Sequence, residues 1–261
     1  LQKLNYTGKY YIVIDNEDKK ADEYYKNFGK DKVIMFDKLD IARRYDTVDN
    51  VKERRTVFYA RNACFEIAEK LGIEYFLELD DDYNTFTYRK EIDGLLTQRV
   101  KVHNLDKLFE YMIEFLETTK AKTVALAQGG DFIGGINSRV FKERLSRKAM
   151  NTFFCKTSNK FDFIGRINED VNTYTTLGQK GELIFTIADV MINQEITQAG
   201  AGGMTDVYLA SGTYLKSFYT IIVAPSCTKI STMGNCYKRI HHKINWNYCT
   251  PKIINEKYKK K

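Results

Sequence analysis

The chain has 261 residues, 43% of them hydrophobic, and 41 Lys and Arg against 34 Asp and Glu, a net charge of +7. That can bury a real core, as one large α/β domain or two small ones. The moderate basic excess fits a polyanionic partner and an ordinary enzyme alike. No apolar run approaches the ~18 residues of a membrane-spanning helix, so no membrane partner is expected. Five cysteines without CxxC spacing argue against a disulfide scaffold or a zinc finger and for a reducing, cytoplasmic setting.

The first apolar run, Tyr10 to Asp15, reads as a buried strand, and Lys32 to Asp37 as a second. A helix follows from Val51 to Leu71, with Val57, Ala60, Cys64, Ile67, Ala68 and Leu71 at steps of three and four and Gly72 closing it. Tyr75 to Asp80 is a third strand. Leu105 to Lys120 is a second helix, built on Leu108, Tyr111, Met112, Phe115 and Leu116. Thr123 to Gln128 and the run after Glu182 supply two more strands. Strands without polar alternation, spaced by helices, predict an α/β domain with a mostly parallel sheet covered on both faces. Ligands of such sheets sit at the carboxyl ends of strands. Asp15, Asp37 and Asp80 each end a predicted strand, which either gathers them at one crevice or reflects the preference of Asp for turns. Two glycine-rich stretches, Gln128 to Gly135 and Gln198 to Asp206, lack the P-loop pattern. The second reads as a mobile lid or as a plain connection. Only Pro225 and Pro251 interrupt the chain, and a single domain over 1–261 is expected. The first residue is Leu1 rather than Met, so a segment upstream is expected.

The densest chemistry is "YFLELDDDYN", Tyr75 to Asn84. Carboxylates packed this closely raise one another's pKa unless a cation joins them. In an extended stretch Asp80 and Asp82 point the same way. Two such carboxylates make a hard-oxygen site for Mg²⁺ or Mn²⁺, above all when a diphosphate completes the coordination.

"YYIVIDNED", "RNACFEIAEKLGIEYFLELDDD" and "INED", in that order, resemble the GT-A fold nucleotide-sugar glycosyltransferases. The resemblance implies a Rossmann-like sheet with a nucleotide-sugar-binding half (1–128) and an acceptor-binding half (129–261). It implies that Asp15 touches the nucleoside base, Arg61 approaches the phosphates, and Asp80, Asp81 and Asp82 hold ribose and metal. Asp37 joins this donor set. A Glu-Asp pair opening a helix would supply the catalytic base, here Asp170 with Glu169 in reserve. The competing reading of that pair is that acids favour helix N-termini. The family has another strand before the one that "YYIVID" resembles, so the first strand is expected to be missing. "IVIDNED", "DDDY", "GGMTDVY" and "KSFYTIIVAPS" are closer still to the phage glycosyltransferases that modify hydroxymethylated pyrimidines in DNA, the group found beside TET/JBP-type oxygenase genes.

His241 and His242 are read as packing or surface histidines, or as a further metal ligand, with His242 ahead. Tyr208, Tyr214, Phe218, Tyr219 and Trp246 lie among Lys216, Lys229, Lys238, Arg239 and Lys243. That mixture suits a flipped base and its phosphates, although Phe218 and Tyr219 are expected in the core. The combined expectation is a Mn²⁺- or Mg²⁺-dependent transferase that moves sugar from a UDP-sugar to 5-hydroxymethyl pyrimidine in DNA. A glycan or protein acceptor, or a binding module without activity, are the alternatives.

Overall fold

Leu105, Leu108, Met112 and Leu116 recur along one helical face and are all buried, which is what fixes the second predicted helix in place. In the computed structural model this helix, α4 (Leu105–Thr119), begins at Asn104, whose side chain accepts from Lys107 N, and ends at Lys120 in the left-handed region. Tyr111 and Phe115, expected on the same face, are exposed instead. The structure describes residues 1, 4–52, 54–128, 135–138, 142, 149, 152–194, 214–234 and 238–260. Most of both glycine-rich stretches and Tyr208 lie outside the described residues.

The chain runs β1 (Ile12–Asp15), α1 (Ala21–Phe28), β2 (Val33–Phe36), α2 (Lys38–Arg44), α3 (Phe58–Lys70), β3 (Tyr75–Glu78), β4 (Tyr83–Ile92), β5 (Leu95–Lys101), α4 and β6 (Thr123–Gln128). Then come β7 (Phe153–Lys156), α5 (Glu169–Gln179), β8 (Ile184–Gln194), α6 (Tyr214–Val223), β9 (Thr228–Met233), β10 (Arg239–Ile244) and α7 (Trp246–Cys249).

Six strands form one sheet in the order β3-β7-β6-β8-β4-β5. The α/β class is as expected, but the mostly parallel sheet is not. Only β6 and β8 are parallel neighbours, and the other four pairings are antiparallel. The reason is that β7 inserts between β3 and β6, while β4 and β5 are joined as a hairpin through Asp93 and Gly94, both at positive φ. β1 and β2 pair in parallel as a two-stranded sheet of their own among the described residues. They are only partly buried, and Met35 is exposed.

Side-chain alternation sends the strand residues into two cores. Val124, Leu126, Phe154, Val190 and Ile192 pack with α4. Phe153 and Cys155 pack against α3 through Phe58, Tyr59, Ala63 and Phe65, and Ala125 packs with Val171 and Tyr174 of α5. α3 starts seven residues later than expected and buries a different stripe, with Val57 and Leu71 exposed. Tyr219 is buried as expected, but Phe218 is 46% exposed because α6 turns Ser217, Tyr219 and Thr220 inward.

Despite the mixed pairing, β3, β6 and β8 run in one direction, so their carboxyl ends share one edge. β4 begins at that same edge, where Tyr83 stands opposite Gln194. The chain therefore has to carry Leu79 to Asp82 across the ends of β7, β6 and β8 to pass from β3 to β4.

Candidate active site

Within that crossing Asp81 and Asp82 form a turn rather than a continued extended stretch, and the crossing lays the three aspartates over the carboxyl edge. Gln194, the last residue of β8, donates from Nε2 to Asp82 Oδ2 at 2.6 Å. Gln128, the last residue of β6, donates to Gln194 Oε1 at 3.2 Å. Asp82 Oδ1 is buried with no hydrogen-bond partner. An unpartnered buried carboxylate oxygen is costly, and a cation would relieve it.

Arg61 is the hub. It lies on α3, with its side chain 3% exposed. Nη2 donates to Asp80 Oδ1 at 2.8 Å, Nε to Glu169 Oε1 at 3.1 Å and Nη1 to Glu78 Oε2 at 3.4 Å. The guanidinium also lies over the rings of Phe153 and Phe163, 5.1 and 5.7 Å from their centroids. The next residue, Asn62, fixes the loop that leads to Glu169. Its Oδ1 accepts from Phe163 N at 2.9 Å, and its Nδ2 donates to Phe163 O at 3.2 Å.

α5 places the Glu-Asp pair at its first turn. Asn168 precedes it in the left-handed region at φ 55, and its Nδ2 donates to Lys216 O and Thr220 Oγ1 of α6. Glu169 is buried and held by Arg61. Asp170 is partly exposed and makes no hydrogen bond or ion pair with a described residue.

The electrostatics follow from three carboxylates around one guanidinium. Burial raises Glu78 to about 8, against the pull of Arg61. Burial also raises Glu169, with Asp170 and Asp80 adding to the shift. Asp80 is raised by burial, and Asp82, Asp170 and Asp81 push it the same way. Arg61 bridges Asp80 and Glu169, and that bridge puts the aspartate turn beside the Glu-Asp pair. Asp81 is exposed, and together with burial and Asp18 it raises Tyr24 of α1.

The other sequence-predicted residues are less central. Asp15 pairs with the buried Lys38 at 2.8 Å and accepts from Glu17 N. Asp37 caps α2 by accepting from Asp40 N at 3.0 Å, which is the turn role weighed for it. No described contact joins either to Asp80. His242 is buried in β10 on the side turned to α6, stacked on His241 at 4.3 Å. No described contact joins it to Asp80 or Asp82, and no group of three His, Cys, Asp or Glu among the described residues is set to hold a metal. Asp80 and Asp82 could hold a cation only with most of its coordination left to ligand and water. Glu78 and Gln194 were not anticipated. An acid inside an apolar strand, two residues before Asp80, was the available signal for Glu78. A cavity of about 460 Å³ lies at the other end of the sheet, lined by Lys122, Lys160 and Lys180 among others, away from these carboxylates.

No helix among the described residues is long and apolar enough to cross a membrane. No curated protein and no solved structure matches the chain. The family model for TET-associated glycosyltransferases matches residues 1–203, which contain Arg61, Gln194 and every carboxylate of the site just described. The match covers well over half of the sequence, and the chain belongs to the TET-associated glycosyltransferase family.

Proposed function

We propose that this glycosyltransferase is metal-dependent and moves a sugar from a nucleotide sugar, a UDP-sugar in the first instance, to the hydroxyl of a 5-hydroxymethyl pyrimidine in DNA. What carries the reading is the imbalance at the carboxyl edge. One guanidinium faces Glu78, Asp80 and Glu169, while Asp82 Oδ1 is buried without a partner. Such a cluster sheds its excess negative charge by holding protons, as Glu78 does, or by taking up a divalent cation, and the cation is the reading adopted here.

Asp80 and Asp82 hold Mn²⁺ or Mg²⁺ in this reading. The ion supplies charge neutralisation for the diphosphate that departs from the sugar. Arg61 is a positioning residue, because all three of its donor nitrogens are engaged by carboxylates. It holds Asp80 and Glu169 at a fixed spacing rather than reaching for phosphate. Asp170, partly exposed and not bound by Arg61, accepts the proton of the acceptor hydroxyl as that oxygen attacks the anomeric carbon. Glu169, drawn into the arginine cluster, sets the start of α5.

The test is transfer itself. The full chain is incubated with a panel of nucleotide sugars, with and without Mn²⁺ or Mg²⁺, and with hydroxymethylcytosine DNA. A hexose- or pentose-sized mass gain on the nucleoside, lost in EDTA, is the expected result. Equal transfer in EDTA would overturn the metal. Transfer only to a glycan or protein would move the acceptor.

A further inference from the structure

From Val207 to Asn255 the sequence contains six Lys or Arg and no Asp or Glu. The whole chain has an excess of only seven positive charges. An acid-free stretch of this length concentrates most of that excess in one region, and it lies beyond the residues matched by the family.

The described part of the region places much of the charge on one surface. β9 and β10 pair antiparallel, with Arg239 opposite Met233, His241 opposite Ser231 and Lys243 opposite Lys229. Strand alternation puts these six on one face. The other face carries Thr228, Ile230 and Thr232 with Ile240, His242 and Ile244. Thr228 and His242 are buried there, Ile244 packs beside Ala224 and Cys227, and Ser217 of α6 donates to Ile240 O. One face is thus seated on α6 through Thr228, His242 and Ile244, with Ile230 and Thr232 left exposed, and the face with Lys229, Arg239 and Lys243 is exposed.

No described residue pairs with the basic side chains of that face. Lys229, Lys238, Arg239 and Lys243 form no ion pair or side-chain hydrogen bond with a described residue. Lys229 and Lys243 are direct cross-strand partners, and like charges at such positions destabilise a ribbon. A polyanion reverses the sign of that term. Six residue pairs span about 20 Å, and a two-stranded ribbon is one of the shapes the major groove of a duplex admits. The ribbon is also wired to the chemistry. Asn168, immediately before Glu169 and Asp170, donates to Lys216 O at 2.7 Å and Thr220 Oγ1 at 3.1 Å on the helix that seats the ribbon.

We propose that the exposed face of the β9–β10 ribbon grips the phosphate backbone of duplex DNA and presents it to the site across α6, a reading that rests on the DNA acceptor proposed above. Each lost phosphate contact flattens the dependence of log K on log salt by about 0.9. The combined variant Lys229→Gln, Arg239→Gln, Lys243→Gln is compared with a control, Lys101→Gln, Lys107→Gln, Lys120→Gln, whose lysines are also exposed. Binding to a hydroxymethylcytosine duplex is measured across a salt titration, with donor hydrolysis as the check on folding. The ribbon variant is expected to lose about two to three units of slope, with donor hydrolysis and the control unchanged. A ribbon variant with the slope of the wild type, or of the control, overturns the proposal while DNA glycosylation by the wild type keeps the functional reading intact. A wild type that neither binds nor modifies the duplex, but binds heparin or an acidic protein, overturns both.

Discussion

Two arginines are almost fully buried near the start of α5, and they are used in opposite ways. Arg166, 2% exposed, meets one carboxylate, with Nε 3.0 and 2.8 Å from the two oxygens of Asp49. The Tyr219 hydroxyl lies 2.5 Å from the same carboxylate and 2.5 Å from Thr47 O. Cation and anion balance, although Nη1 of Arg166 is left without a partner. This centre ties the loop around Asp49 to α6. Arg61 meets three carboxylates, with Asp82 and Asp170 in the same field. A balanced pair closes on itself, whereas an outnumbered cation leaves negative charge for something else to neutralise. The contrast separates a closed latch from an unbalanced cluster without reference to sequence motifs.

The largest expected effect comes from removing the outnumbered cation. Arg61→Met strips the counter-charge from Glu78, Asp80 and Glu169, and breaking a buried ionic cluster in this way costs about 3–5 kcal/mol. Urea unfolding should show it, with Arg166→Met costing less because only Asp49, itself partly exposed, is orphaned. Equal losses in the two variants would dissolve the contrast.

Activity should divide differently from stability. Asp82→Asn and Asp170→Asn are each expected to lower kcat by about 10²–10³. Asp82→Asn should leave the metal-free protein as stable as the wild type or more so, because it removes a charge whose Oδ1 has no partner. A variant that loses stability in step with activity would make Asp82 a structural residue.

The sequence announced the parts of this site more clearly than their use. Arg61 and the Glu-Asp pair were singled out only by the resemblance to the GT-A family, whereas the aspartate run was legible because acids after an apolar run are a local pattern. Leu105 to Thr119 was legible for the same reason, its core face repeating at steps of three and four. Strand direction was not, since an apolar run such as "TVALAQ" looks alike in parallel and antiparallel pairings. The insertion of β7 between β3 and β6 depends on partners more than twenty residues away in sequence. The β4–β5 hairpin was readable in principle from its Asp-Gly turn, set between Ile92 and Leu95. Arg61 illustrates the remaining limit. Its identity is written in the chain, but the number of carboxylates that reach it is a property of packing.

A pH titration sharpens the comparison by a smaller margin. Burial lifts Glu78 to about 8 and raises Glu169 above its ordinary value of 4.5. The folded chain then holds protons that the unfolded chain has released, so stability falls as pH rises between about 4.5 and 8. The metal-free protein should melt at a higher temperature near pH 6 than near pH 8. Saturating Mn²⁺ should narrow the gap by neutralising the cluster. A melting temperature that rises with pH over this window would show that the carboxylates are not crowded in solution.

The smallest effect tests the balanced centre. Tyr219→Phe removes a hydroxyl that faces Thr47 O and Asp49 Oδ2 but leaves the ring, and the loss should be about 1 kcal/mol, as for one net hydrogen bond. Arg166 still neutralises Asp49 in this variant, so no charge is uncovered. The pH dependence of melting should therefore keep the wild-type shape. Transfer should keep the wild-type kcat, because no hydrogen bond among the described residues joins the Tyr219 hydroxyl to Glu169 or Asp170. A drop in kcat larger than tenfold would place this latch inside the catalytic machinery and end the division between the two arginines.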